Sequence, residues 1–216
     1  MNSHLEFLVG RVFDGTLAPE HLADLRKSGL TDETIAAQHI RSVPLAMIGR
    51  LLGFDVSTVT SALLLPYASV DGGFMPVVRM KLFPPQTDAE GHSFKYAQPK
   101  GSSPRVYFVR RCLHEVLHGD GRLLIIEGEK KACCFAQLGH AVIGIAGVEA
   151  WHVKGDRRLL ADFDHIRLRD RLVEIVPDGD YQSNDNVRRA VQRLGAALAE
   201  CGSRARVVLL PHELPQ

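Results

Sequence analysis

No run of apolar residues in this 216-residue chain approaches the roughly 20 needed to cross a bilayer. The opening Met1-Asn2-Ser3-His4-Leu5-Glu6 has neither the basic nor the apolar region of a signal peptide, so a cytoplasmic protein is expected. Cysteine is scarce. Cys112, Cys133, Cys134 and Cys201 form no CxxC pair, which argues against a zinc ribbon and for a reduced compartment. Neither charge sign is in excess: 26 Lys and Arg stand against 25 Asp and Glu, a net charge of +1. No overall field therefore draws the chain to nucleic acid or membrane, and any such binding rests on a local patch. There is no GxxxxGK[ST] phosphate loop, no internal repeat and no low-complexity segment. What is present, 45% apolar and 24% charged residues, is ordinary for a soluble globular chain with a sizeable core.

The first 65 residues read as short amphipathic helices. Pro19–Lys27 sets Leu22 and Leu25 on one face, and Ser28-Gly29 ends the pattern. Thr31-Asp32-Glu33 has an N-cap residue followed by acids that suit the helix dipole. Pro44 fits a first helical position before Leu45–Leu52, and Gly53 fits the stop. Ala62–Tyr67 and Phe74–Phe83 then read as strands about a Val70-Asp71-Gly72-Gly73 turn. Pro84–His92 reads as a loop, with short strands at Phe94-Lys95-Tyr96 and Arg105–Val109. From residue 121 onward strand and helix alternate. Strands are expected at Arg122–Ile126, Ala141–Ile145, Leu172–Val176 and Ala205–Leu210. Helices are expected at Glu129–Leu138 and from about Asn184 to Cys201, closed by Gly139 and Gly202. Such alternation means a parallel sheet with crossover helices, an α/β fold.

Two short acidic motifs carry the chemistry. Leu123-Leu124-Ile125-Ile126 ends at Glu127-Gly128-Glu129-Lys130-Lys131, and Leu172-Val173-Glu174-Ile175-Val176 ends at Pro177-Asp178-Gly179-Asp180. Ligands of open α/β sheets bind beyond the carboxyl ends of the strands, so two adjacent strands would gather Glu127, Asp178 and Asp180 at one edge. Three carboxylates together repel unless a cation or proton neutralises them. Hard oxygen ligands of this kind suit Mg²⁺, which usually serves phosphate chemistry. Gly128 allows a sharp turn, and the helix after it aims free N–H groups at the same place, with Lys130 and Lys131 beside them. Taken singly, Glu127 could equally cap its helix, and Asp178-Gly179 is also a common turn.

Together the motifs resemble the Toprim domain, shared by bacterial replicative primases, topoisomerases and some nucleases. Its glutamate-glycine after the first strand is matched by Glu127-Gly128, and its later DxD by Asp178-Gly179-Asp180. The match is most like Toprim domains of plasmid, phage and mobile-element proteins that carry EGEKKA and a following G-V-x-x-W, here Glu127–Ala132 and Gly147-Val148-Glu149-Ala150-Trp151. Upstream, a hairpin with a glycine turn at Asp71-Gly72-Gly73, then Arg79, then Lys95-Tyr96, resembles the lobe that precedes Toprim in bacterial-type primases. The resemblance covers roughly residues 60–210.

The resemblance implies three segments: a helical region over 1–60, an α+β primase-like lobe over 61–120 and a Toprim-like parallel sheet with flanking helices over 121–216. It implies Mg²⁺- or Mn²⁺-dependent nucleotidyl transfer on single-stranded DNA in the replication of a mobile element. Glu127, Asp178 and Asp180 would be the catalytic and metal-holding residues. Lys130, Lys131, Arg79 and Lys95 would bind phosphates of nucleotide or template. Expected partners are single-stranded DNA, nucleotides, and a replicative helicase or another replication protein. The alternatives are a Toprim-type metal-dependent nuclease and a non-catalytic nucleic-acid-binding module. Primases carry a third acidic motif after a Leu-Pro. Here Leu210-Pro211 is followed only by five residues to Gln216, with His212-Glu213 the nearest substitute. A cysteine-rich template-reading module is also missing.

Other chemistry-bearing residues read as structural. Cys133 and Cys134 suit helix packing against a sheet. His114 and His118 lack a carboxylate at metal-site spacing. Asp162, Asp164 and Asp170 read as a solvated stretch, and Trp151 as packing for its loop rather than a base-stacking platform.

Overall fold

The computed structural model describes residues 3–56, 58–88 and 90–209, which divide into two units. One holds the described residues up to Ser69 together with Gly73–Ser102. The other holds Val70–Gly72 and the described residues from Ser103 onward.

The first unit is a four-stranded antiparallel sheet with helices packed on it. It comprises α1 (Ser3–Phe13), α2 (Pro19–Lys27), α3 (Asp32–Ala37), β1 (Arg41–Val43), α4 (Leu45–Leu52), β2 (Ser61–Leu64), β3 (Met80–Thr87) and β4 (Ser93–Ala97). The strands lie in sequence order, β1-β2-β3-β4. Leu8, Val9 and Val12 of α1 and Ile48, Leu51 and Leu52 of α4 share one core with Ala62, Leu64, Met80, Leu82 and Ala97 of the sheet. Helices α1 and α4 therefore share their core with the strands, and β1 interrupts what was expected to be a helical stretch; short helices gain most of their stability from such packing. The cap reading holds in detail: Thr31 accepts a bond from the Thr34 N–H, and Gly53 closes α4 at φ +75°. Pro44 lies one position before the helix, with extended backbone, rather than inside it.

Three strand and loop expectations for this unit are corrected. The strand expected over Ala62–Tyr67 stops at Leu64. Residues 74–79 are not strand: β3 begins at Met80, and before it only Ala68 and Phe74 form an isolated bridge. Pro84–Thr87 is not loop, because β3 runs on through both prolines. The sheet tolerates them there because pairing with β2 ends at Ser61–Phe83 and the register with β4 shifts between Lys81 and Gln86. A missing N–H costs least at such an irregularity.

The second unit contains β5 (Tyr107–Phe108), α5 (Leu113–His118), β6 (Leu123–Glu127), α6 (Glu129–Gln137), β7 (Ala141–Ile145), β8 (Leu172–Val176), α7 (Asp185–Glu200) and β9 (Arg204–Val207). Its sheet order is β5-β7-β6-β8-β9. Strands β6 to β9 are parallel, and β5 adds an antiparallel edge on β7. The expected α/β architecture is present. The expected last strand ends at Val207, and Leu210 and the His212-Glu213 pair lie outside the described residues. The central strands are buried on both faces, as a covered parallel sheet requires. Gly139 and Gly202 follow their helices at φ +87° and +82°, the left-handed geometry that favours glycine.

Asp162 corrects the reading of a solvated acidic stretch. It is buried, receives Arg105 Nε at 2.8 Å and Nη2 at 2.5 Å, and accepts the Val106 N–H at 2.9 Å. A buried carboxylate requires partners of this kind. Arg171 has a matching role. Its buried guanidinium donates to the carbonyls of Glu115, Val116 and Gly121 at 2.6–2.7 Å, satisfying the last turn of α5. No helix among the described residues is long and apolar enough to cross a membrane.

Candidate functional site

The topology of the second sheet makes a crevice where the acidic motifs lie. Strand β6 is central, and α6 carries the chain from it to β7 on one side. Its other neighbour, β8, leads through α7 to β9 on the opposite side. Connections leaving two adjacent parallel strands in opposite directions open a gap beyond their carboxyl ends. Glu127 is the last residue of β6 and Asp178 lies two residues beyond the end of β8, with Ile126 and Val176 in register between them.

Local structure fixes each group. Gly128 turns the chain from β6 into α6 at φ +97°, a conformation that only glycine adopts without strain, while its N–H bonds Ile145 O at 2.8 Å. Pro177 ends β8 without a ladder donor, and Asp178 opens a short 3₁₀ turn over Gly179–Gln182. Asn184 then caps α7, accepting from the N–H groups of Asn186 and Val187. Its side-chain amide is also 3.5 Å from Asp180 Oδ2.

The carboxylates feel one another. Glu127 is half-buried, and burial pushes its carboxyl above the ordinary range. Asp178 and Asp180 push it up further, and Lys131 opposes them. The Lys131 ammonium rests directly on Asp178 Oδ1. Beside this pair is a cleft of about 250 Å³, lined in part by Lys131, Phe135, Asp178, Tyr181 and Gln182. Phe135, Tyr181 and Gln182 were not among the expected site residues, although Tyr181 adjoins the DxD. Glu129, also unassigned from sequence, is buried in the first turn of α6, the end of a helix that favours an anion.

The donor set fits a hard divalent cation: carboxylates at a strand-end crevice, one of them raised in pKa by burial and then by the others, with an ammonium on a second. The three are not drawn into a finished cage. Among the described residues, the one group of three whose ligand atoms all lie within 4.8 Å of one another is Asp88, Glu90 and His92, exposed in the turn between β3 and β4.

In the first unit, Arg79 and Lys95 both gather at Tyr96. The Arg79 guanidinium lies 5.2 Å and the Lys95 ammonium 5.9 Å from the ring centre. Arg79 Nη1 also reaches Gln98 Oε1 at 3.4 Å. Lys130 is half-buried on α6. Trp151 is buried in its loop, with its ring 4.2 Å from that of His152.

A family profile described as a domain of unknown function (DUF3854) matches residues 116–215. No curated protein matches the chain. Solved structures similar to it include primase catalytic cores. The DnaG catalytic core has a TM-score of 0.61 at 17% identity, over 96% of this chain and 72% of that one. The Aquifex aeolicus primase, with its zinc-binding and RNA polymerase domains, has a TM-score of 0.62 at 12% identity, over 96% of this chain and 55% of that one. The RNA polymerase domain of Mycobacterium tuberculosis primase DnaG, in complex with a double-stranded DNA carrying a 6-nucleotide overhang, has a TM-score of 0.61 at 15% identity. That likeness covers 98% of this chain and 74% of the other. The fold is that of the primase catalytic core.

Proposed function

We propose that this chain is a primase-type nucleotidyl transferase that extends a 3′-hydroxyl on single-stranded DNA, in the replication of a mobile element. The observation that carries the reading is that Asp178 and Asp180 act through their charge on Glu127 at a strand-end crevice, in a chain with a primase-core fold. In this reading the second unit is a Toprim domain. Asp178 and Asp180, with Glu127, would hold Mg²⁺ or Mn²⁺, which when bound neutralises charge on the phosphates and polarises the reacting phosphorus. Glu127 is placed either to complete that ligand set or to accept the proton of the attacking hydroxyl. Lys130, Lys131, Arg79 and Lys95 bind phosphates of nucleotide or template. The natural partners are single-stranded DNA, nucleotides and another replication protein such as a helicase. One of the similar structures is a complex with a double-stranded DNA that carries an overhang, which supports a DNA substrate.

The test is primer synthesis by the Asp180→Ala variant, with circular dichroism to confirm its fold. Loss of synthesis with an unchanged spectrum is expected; full activity would sink the assignment. A second reading, metal-dependent DNA cleavage, has one observation in its favour, since Tyr181 lines the same cleft as Asp178.

A further inference from the structure

The lysine among the carboxylates is placed against the local preference of its helix. Lys131 is the third residue of α6, in the first turn, where the helix macrodipole disfavours a cation. There is no basic residue in the last turn, where one would be favoured. Helix energetics therefore do not account for Lys131. What it touches does: its ammonium is on Asp178 Oδ1, and its charge opposes the upward push of Asp178 and Asp180 on Glu127.

From this contact we propose that Lys131 is a built-in counter-ion of Asp178, which competes with a divalent cation for that carboxylate. The inference rests on the metal-site reading above. Two cations on one carboxylate oxygen repel strongly, so a divalent ion that takes Asp178 Oδ1 displaces the ammonium. The displacement is cheap, because both side chains of the pair are about half exposed, at 54% and 40%. The released ammonium stays at the cleft mouth, where an anionic phosphate group can take it up. Lys131 thus weakens binding of the bare metal while offering the phosphates a partner once the metal has arrived. It keeps an acidic crevice from holding adventitious divalent ions between encounters with substrate.

The experiment is a Mn²⁺ titration of the full chain without nucleotide, following free Mn²⁺ by electron paramagnetic resonance, on wild type, Lys131→Gln, Lys131→Arg and Asp178→Asn. Lys131→Gln should bind Mn²⁺ about three- to tenfold more tightly than wild type, the effect of removing one partly exposed positive charge at contact distance. Lys131→Arg, which keeps the cation, should stay near wild type, and Asp178→Asn should bind more weakly. Unchanged or weaker binding by Lys131→Gln, with Asp178→Asn still impaired, overturns the counter-ion role and leaves the metal site standing. Mn²⁺ binding that ignores Asp178 in every variant overturns both.

Discussion

Glu127 and His21 are each pushed from their ordinary pKa by burial, and the two pushes have opposite consequences with pH. The Glu127 carboxyl is raised, so the folded chain holds its proton more tightly than the unfolded one. Its contribution to stability therefore falls as pH rises from about 4.5 through the raised value. In the absence of divalent metal, Glu127→Gln should melt roughly 1–3 °C higher than wild type at pH 7, with the gap closing by pH 4. A gap that persists at pH 4 would show that charge is not its cause. His21 is buried between the Ser42 and Ser61 hydroxyls, at 2.7 and 3.0 Å from its ring nitrogens, with its ring against Phe83. Burial lowers its pKa; Lys81 adds to this, and Glu20 and Asp24 oppose it. The unfolded chain then takes up the proton first, so stability is lost as pH falls below about 6.5. Thermal melts between pH 7 and pH 5 should show a step that His21→Gln lacks.

At the scale of the element, the turn from β6 into α6 and the cap on α5 are single points of failure. Gly128→Ala forces a side chain into φ +97° and should cost about 1–2 kcal/mol in denaturant unfolding. Because that turn places Glu127, activity should fall further than stability does. Arg171→Met removes the donors to three carbonyls and should cost about 3 kcal/mol; a loss under 1 kcal/mol would mean that water replaces the guanidinium. These elements also show what a reader of the sequence could see. The alternation from residue 121 onward was legible because apolar runs, helical spacing and terminal glycines agree over each segment. So β7 and β8 appear at their expected bounds, and the strand ends that carry Glu127 and Asp178 follow. Strand β3 was obscured by Pro84 and Pro85, which look like a loop until the register shift beside them is known. The two-residue β5, Tyr107–Phe108, falls inside the expected strand at Arg105–Val109. Asp162 looked solvated because its partner Arg105 lies 57 residues away. The pairing of Lys131 with Asp178 spans 47 residues and was hidden for the same reason. Strand pairing gives a reader of sequence the neighbourhood of a site, whereas side-chain partners across it follow from packing alone.

At the scale of the molecule, each unit carries its own candidate cluster: the second the carboxylate crevice, the first Arg79 and Lys95 around Tyr96. If Arg79 and Lys95 bind phosphates, replacing both by Ala should weaken single-stranded DNA binding and flatten its salt dependence, read by fluorescence anisotropy across a salt series. Asp178 and Asp180 should behave oppositely, with binding kept and turnover lost. The central claim is turnover itself. Its most direct test is incorporation of labelled nucleotides on a single-stranded DNA template with Mg²⁺ or Mn²⁺, using the Asp178→Ala/Asp180→Ala double variant as control. The account predicts metal-dependent products complementary to the template and absent from the variant. An intact, bound template with no product, or a template shortened without added nucleotides, would contradict it.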